Sequence, residues 1–556
     1  MRRTAVLAFA VVAAVFAFGS TAVAKPPDAN SSKLRAAVTV DGIVAHQRAL
    51  QGIANANGGT RYTKTSGYDA SVAYVEDTMK KAGWNVSITQ FNMPDWRENA
   101  PPVLAQLAPT AKTYVPGTAN DDDSATVDYI AFEFSPTKDV ADAPVVPTDN
   151  IVIPSPGANS NTSGCAPDDF PASTDGAVSL IQRGTCAFTQ KLANAQAAGA
   201  VGVILFNEGD SAGRMNAGFR SGPTDLAIPA MFSSFAVGNE LYQAYKNGQN
   251  PRVHLQTNGE QVEHLYPQVI AESPRGDPNH VVLAGAHLDS VPAGPGINDD
   301  GSGTSWQLEL GEEISQLGTP PRNKIRLMWF GGEEDGLVGS QYYAAHLSPA
   351  EADRIMVMID TDMIASPNYA RFIYDGNGDD EADNPAGPPG SGDVEGVFKR
   401  YFAQRGMATL PTAFDGRSDY VGFINRGIPA GGIFAGAEVP KTPEQVEVFG
   451  GVAGEQYDPC YHEACDNIDT VTGQPPADTM NVFDTDPVLA QSQADSLNGN
   501  ALKSLSEMSG AVTHAVWYFA RIKDTLPPRA ATARAAGKKA KRYRFKYQGH
   551  PRADTR

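Results

Sequence analysis

Three apolar runs in the second half of the chain end abruptly in polar and charged residues. HVVLAGAHLDS begins at residue 280, NKIRLMWFGGEED at residue 323 and RIMVMIDTDM at residue 354. Each is short and nearly continuous, the pattern of a strand covered on both faces. Helical stretches such as TSWQLELGEEISQL separate them, and ALKSLSEMSGAVTHAVWYFARI predicts a long closing helix. Buried strands alternating with helices predict an α/β fold, a mostly parallel (mixed) central sheet flanked by helices. Any site then belongs at the carboxyl ends of the strands. Upstream, SGYDASVAYVEDTMKKAGWNVSITQF (66–91) predicts a helix and then a strand. Ala73, Val75, Met79 and Ala82 form the helix's apolar face, Gly83 stops it, and Val86, Ile88 and Phe91 continue in extended form.

From about residue 99 to 150 the pattern gives way to Pro, Thr and Asp with no sustained period. Between 150 and 257, DGAVSLIQRGTCAF, VGVILFNEGD and IPAMFSSF predict short strands punctuated by Gly and Pro, with one helix, FTQKLANAQAAGA. This is a separate β-rich unit, placed at 131–257 and inserted into the main domain, which takes 33–130 and 260–525.

The two ends differ from the body. Arg2 and Arg3, an apolar stretch over 5–18 and the small-residue pattern Ala22-Val23-Ala24 predict a signal peptide over 1–24 and a secreted, extracellular protein. The apolar run is short for a membrane span, and none is expected elsewhere. Export permits disulfides, and the four cysteines fall into two local pairs, Cys165 with Cys186 and Cys460 with Cys465. The formal net charge is −19, although residues 529–556 hold ten Lys/Arg against the single acid Asp554. The body is thus strongly acidic, which argues against a nucleic-acid partner, and 526–556 reads as a basic disordered tail.

The candidate chemistry sits where the three runs stop. The first supplies His287 and Asp289, the second Glu333 and Glu334, the third Asp360 and Asp362. The loop GINDDGSGT between the first two contributes Asp299 and Asp300, and YDPCYHEACDNI places His462 in a loop that Cys460 and Cys465 can staple. Singly these are ordinary residues, since acidic loops are commonly just solvated. Their recurrence at one sheet edge is different: crowded carboxylates without a cation raise one another's pKa, whereas imidazoles with carboxylates suit zinc or a similar divalent metal. Asp300 and Asp335 read as loop acids, Asp360 as a supporting or capping residue, and Asp419 as a partner for Arg417.

GAHLDSV, GINDDGSG, WFGGEEDGLVGS, DMIASP, FDGRSDYVGF, GIPAGGIFAGA and YDPCYHEACDNI resemble the successive blocks of the secreted bacterial double-zinc aminopeptidases, the leucyl aminopeptidase type. The resemblance implies a zinc-exopeptidase fold and two zinc ions. His287 and Asp362 would bind one, Glu334 and His462 the other, and Asp299 would bridge them. Glu333 would be the general base, and Asp289 would hold the second nitrogen of His287. Tyr461 would help polarise the scissile carbonyl, and Arg417 would help orient the substrate, a peptide with a free N-terminus. A monomer is expected. The 145–257 stretch resembles a protease-associated domain, whose cysteine pair matches Cys165 and Cys186. The acids of the calcium site that some relatives carry near the N-terminus do not line up in LRAAVTVDGI, which argues against calcium, and 473–500 is longer than the resemblance implies. Two alternatives stay open: a carboxypeptidase on the same scaffold, and a non-catalytic, receptor-like ectodomain.

Overall fold

The computed structural model describes residues 30–523 apart from 119–123, 154, 156–159, 210–213, 219–224, 381–384 and 481–486. The expected signal peptide and the basic tail lie outside the described residues. The main sheet has eight strands. At its centre Asp277–His287 pairs in parallel with Asn323–Phe330 on one side and Ile355–Thr361 on the other. Ala430–Phe434 extends the parallel core beyond Ile355–Thr361. Antiparallel strands flank it, making the sheet mixed.

Period-two alternation divides the central strands between two cores. Val282, Ala284, Leu327 and Trp329 enter a core with Trp306 of helix Gly301–Gln316 and Leu505 and Val516 of helix Asn500–Arg521. Val281, Leu283, Met328 and Phe330 point the other way, into a core with Phe423 of helix Tyr420–Asn425. Strands covered on both faces need apolar residues at every position, which is why these runs are continuous. Because the chain after Asp277–His287 builds first on one side of that strand and then on the other, its carboxyl end is a topological switch point, where such sheets carry their sites.

Asn85–Glu98 and Gly259–Glu272 form a long antiparallel ribbon in which Glu98 lies opposite Gly259. The insertion leaves and returns through these two residues. Its own sheet runs Lys112–Thr113, Val103–Ala108, Arg252–Thr257, Lys138–Pro147, Val178–Gln182, Gly202–Phe206, Ala230–Ser233 and Tyr129–Ala131. The second sheet therefore recruits strands ahead of residue 131, where the composition placed its start. Those strands complete the antiparallel edges of a parallel core. Both cysteine pairs are disulfide-bonded, Cys165–Cys186 and Cys460–Cys465. No helix among the described residues is long and apolar enough to cross a membrane.

Candidate metal centre

His287 is the last residue of its strand and is almost wholly buried. Its Nδ1 lies 3.1 Å from the carbonyl oxygen of Asp289, which can only accept. Nδ1 therefore carries a proton, and Nε2 turns outward, able to ligate once its own proton is lost. Nε2 faces Asp299 Oδ1 at 3.1 Å and Asp362 Oδ1 at 3.7 Å. On the far side of the same carboxylate, His462 Nε2 lies 3.2 Å from Asp299 Oδ2 and 3.1 Å from Glu334 Oε2. Asp299 thus presents one oxygen to each imidazole. Asp299 Oδ2, Asp362 Oδ1 and both Glu334 oxygens are buried without a hydrogen bond among the described residues. Carboxylate oxygens converging in this way on two imidazole nitrogens are what a cation, a proton or a metal, requires.

The loops that hold these groups are themselves tied down. The Asp289 carboxylate lies 3.7 Å from His287 Nδ1, so the histidine is held chiefly by the Asp289 backbone. The carboxylate itself accepts the backbone N–H groups of Glu333 and Glu334, each at 3.3 Å. Ser418 Oγ donates to Asp362 Oδ2 at 2.8 Å, leaving Oδ1 turned toward His287. His462 has a left-handed backbone, φ 61°, a conformation that costs a non-glycine residue roughly 1–2 kcal/mol. The Cys460–Cys465 disulfide closes the loop around it.

Several supports are absent from the sequence reading. Asp300 caps helix Gly301–Gln316 through Gly303 N–H at 2.8 Å. It also accepts from His287 N–H and Met363 N–H, at 3.2 and 3.3 Å. With both oxygens engaged, Asp300 is a support, although it stands close to His287 and Asp362. Asp466 accepts from Asn298 N–H at 2.7 Å and Asp299 N–H at 2.9 Å. Its position four residues after His462, beside Cys465, is the signal that could have marked it. Glu438 takes two hydrogen bonds from the Arg417 guanidinium at 2.8 and 3.2 Å, the acidic-partner role that the sequence suggested for Asp419. Asp419 is buried instead, its carboxyl pushed up to about 7 by burial, against the pull of His287.

The electrostatics agree with the geometry. Burial first, and then Glu334 and Asp362, raise the Glu333 carboxyl well above the usual range, against the pull of His287. Burial would lower both imidazoles, yet the acids around them prevail. Glu333, Asp289 and Asp299 raise His287 well above its ordinary value, and Glu334 and Asp299 push His462 up to about 10. The pocket favours positive charge strongly enough to hold protons on its histidines. Two imidazoles and three carboxylates in a dry pocket suit a borderline-soft divalent ion such as zinc. Arg417 also donates to Tyr461 Oη at 3.2 Å, and Tyr461 stacks on His462. Both line one cleft with Asp299, Asp362 and the apolar Met363, Phe434 and Ala437.

An acid-rich imidazole site at the switch point of a doubly covered mixed sheet is the mark of a metal-dependent enzyme. Residues 268–483 match the model of Peptidase family M28, and residues 141–241 match that of the PA domain. An aminopeptidase of Pseudomonas aeruginosa is 41% identical over 433 residues, covering 77% of this chain and 76% of that protein. A probable lipoprotein aminopeptidase of Mycobacterium tuberculosis is 37% identical over 483 residues, 84% of this chain and 90% of its own. The structure of BSAP, a zinc aminopeptidase from Bacillus subtilis, has the same fold, with a TM-score of 0.58 over 87% of this chain and 96% of that one at 23% identity. The chain belongs to peptidase family M28 and carries an inserted PA domain.

Proposed function

We propose that this peptidase is a secreted zinc aminopeptidase that removes the N-terminal residue, a large apolar one such as Leu, from peptides. The observation that carries the reading is the position of Asp299, one oxygen toward His287, which also faces Asp362, and the other toward His462, which also faces Glu334. A carboxylate so placed suits a bridging ligand between two zinc ions, His287 and Asp362 holding one, Glu334 and His462 the other. Such a pair supplies Lewis acidity and lowers the pKa of water. Relatives named aminopeptidase, one of them a zinc aminopeptidase in a solved structure, support both the activity and the metal.

The remaining work falls to the chain's own side chains. Glu333 stands beside the ligands but lies in neither set, and its raised carboxyl suits a base that accepts a proton and returns it to the leaving amine. The Tyr461 hydroxyl is kept protonated by burial and by Asp299, so it remains a donor for the scissile carbonyl. Met363, Phe434 and Ala437 offer an apolar wall to the first side chain of the substrate. The excess of buried acids favours a charged α-amino group. A carboxypeptidase would need cations for a terminal carboxylate, and Arg417, the candidate for that task, already engages Glu438. The two disulfides fit an exported protein. The reading is tested by hydrolysis of free, N-acetylated and C-amidated peptides, with and without a chelator. Free and amidated peptides should be cleaved, acetylated ones slower by orders of magnitude, and none in chelator. A strict need for a free carboxylate would reject the aminopeptidase.

A further inference from the structure

The segment 60–64, TRYTK, lies between helices Val40–Ala56 and Ser66–Lys81 and braces both loops that carry the metal centre. Arg61 is fully buried and donates through Nε to the carbonyl of Pro295 at 2.8 Å and through Nη2 to that of Gly296 at 2.7 Å, in the loop leading to Asp299. Thr63 Oγ1 accepts Gly332 N–H at 2.9 Å, and Tyr62 donates to Asp335 Oδ1 at 2.8 Å, on either side of Glu333 and Glu334. Lys64 then joins three carboxylates from three places. Its Nζ lies 2.7 Å from Glu133 of the inserted domain, 3.5 Å from Asp95 at the ribbon, and 4.0 Å from Asp335.

We propose that Lys64 is a positioning residue for the Glu333–Glu334 turn, and that the inserted domain steadies it through Glu133. Asp335 is part of that turn, which Gly336 and Leu337 close by donating to the Glu333 carbonyl at 2.8 Å each. A displaced Asp335 would therefore move the backbone from which Glu333 projects. The Lys64, Glu133 and Asp335 side chains are only 12%, 6% and 7% exposed, so salt and water screen the group weakly. Without the ammonium, three carboxylates repel one another. Asp335 stays tied to Tyr62, so the expected result is a shifted turn in a folded protein. A misplacement of about 1 Å at a catalytic group costs up to about 100-fold in rate.

This proposal rests on the reading of Glu333 as general base. The test is steady-state hydrolysis of leucine p-nitroanilide by the zinc-loaded full chain, with zinc content and melting temperature measured on each variant. Lys64→Met should lower kcat roughly 10- to 100-fold with KM within about twofold and zinc content unchanged, and Lys64→Arg should recover most of the loss. Glu133→Gln should lower kcat a few-fold alone and have no further effect when Lys64 is already Met. Wild-type kcat in Lys64→Met, or a loss that tracks lost zinc, overturns the positioning role. An undiminished Glu133→Gln effect beside Lys64→Met overturns the link to the inserted domain. Should Lys64→Met not fold, the cycle of Glu133→Gln with Asp335→Asn replaces it, and additive effects overturn the proposal. Glu333→Ala, run in parallel, separates the two readings. Full activity there removes the general base, whereas an inactive Glu333→Ala beside a wild-type-like Lys64→Met removes only the brace.

Discussion

The Asp289 carboxylate accepts the backbone N–H of Glu333 at 3.3 Å, joining the ends of two adjacent parallel strands. Its other oxygen takes the N–H of Glu334, so one acid sets the backbone of both neighbours. Glu334 faces His462, and Glu333 is left outside both of the ligand sets proposed above. Glu333→Ala should therefore keep its zinc and lose kcat by roughly 10²–10⁴-fold. Glu334→Ala should lose zinc from one site. Metal analysis beside kinetics decides the assignment, and the reverse pattern would exchange the two roles.

Ser418 offers a milder test of the same centre. Its hydroxyl occupies Asp362 Oδ2 and so directs Oδ1 toward His287. Ser418→Ala frees the carboxylate to rotate, and supports of this kind are worth roughly 10–100-fold in metal affinity. Competition with a chromophoric chelator should show weaker binding of zinc, with the melting temperature of the metal-free protein nearly unchanged. Unaltered affinity would mean that packing alone orients Asp362.

The strand ends were legible because a doubly buried strand leaves a continuous apolar run, and a polar residue after such a run stands out. His287, Glu333, Glu334 and Asp362 all announce themselves in that way. Asp300 and Asp466 did not, because the work of each is to accept backbone N–H groups. A backbone donor leaves no mark in the sequence of its partner. Arg61 is hidden for the same reason, since its partners are carbonyls. Glu438 lies 21 residues from Arg417, with nothing local to pair them. The early strands of the second sheet were unreadable because Val103–Ala108 buries the polar Gln106 and exposes Leu107, so its sequence does not alternate, and Lys112–Thr113 is a two-residue exposed edge.

Lys441 gives a stability prediction away from the metal. It is buried and donates to the carbonyls of Asn368 and Tyr369 at 3.0 and 2.6 Å. Burial, and then Arg371 and Lys503, bring its ammonium down to about 7. In the unfolded chain it would titrate near 10.4, so between these values the unfolded state binds more protons. Stability from this residue is therefore fully present above the unfolded value and is lost as pH falls through about 7. The melting temperature of the wild type relative to Lys441→Met should rise from pH 6.5 to 9.5. A constant difference would show that the amine keeps its proton in the fold.

Zinc binding itself should be linked to protons, with a sign that the pocket fixes. In the metal-free protein Glu334 and Asp299 hold the His462 imidazolium up to about 10, so at pH 7 the ring carries both protons. An imidazole must be neutral to bind a metal, and loading zinc at pH 7 has to expel one of them. Treatment with a chelator should abolish turnover, and added zinc should restore it. Titrating zinc into the metal-free protein in two buffers of different ionisation heat should show net proton release, and the apparent affinity should climb as pH rises toward 10. His462→Gln has no such proton to give and should release fewer. Equal release from the variant would mean that the displaced protons come from His287 or the carboxylates, and that His462 stands neutral before the metal arrives.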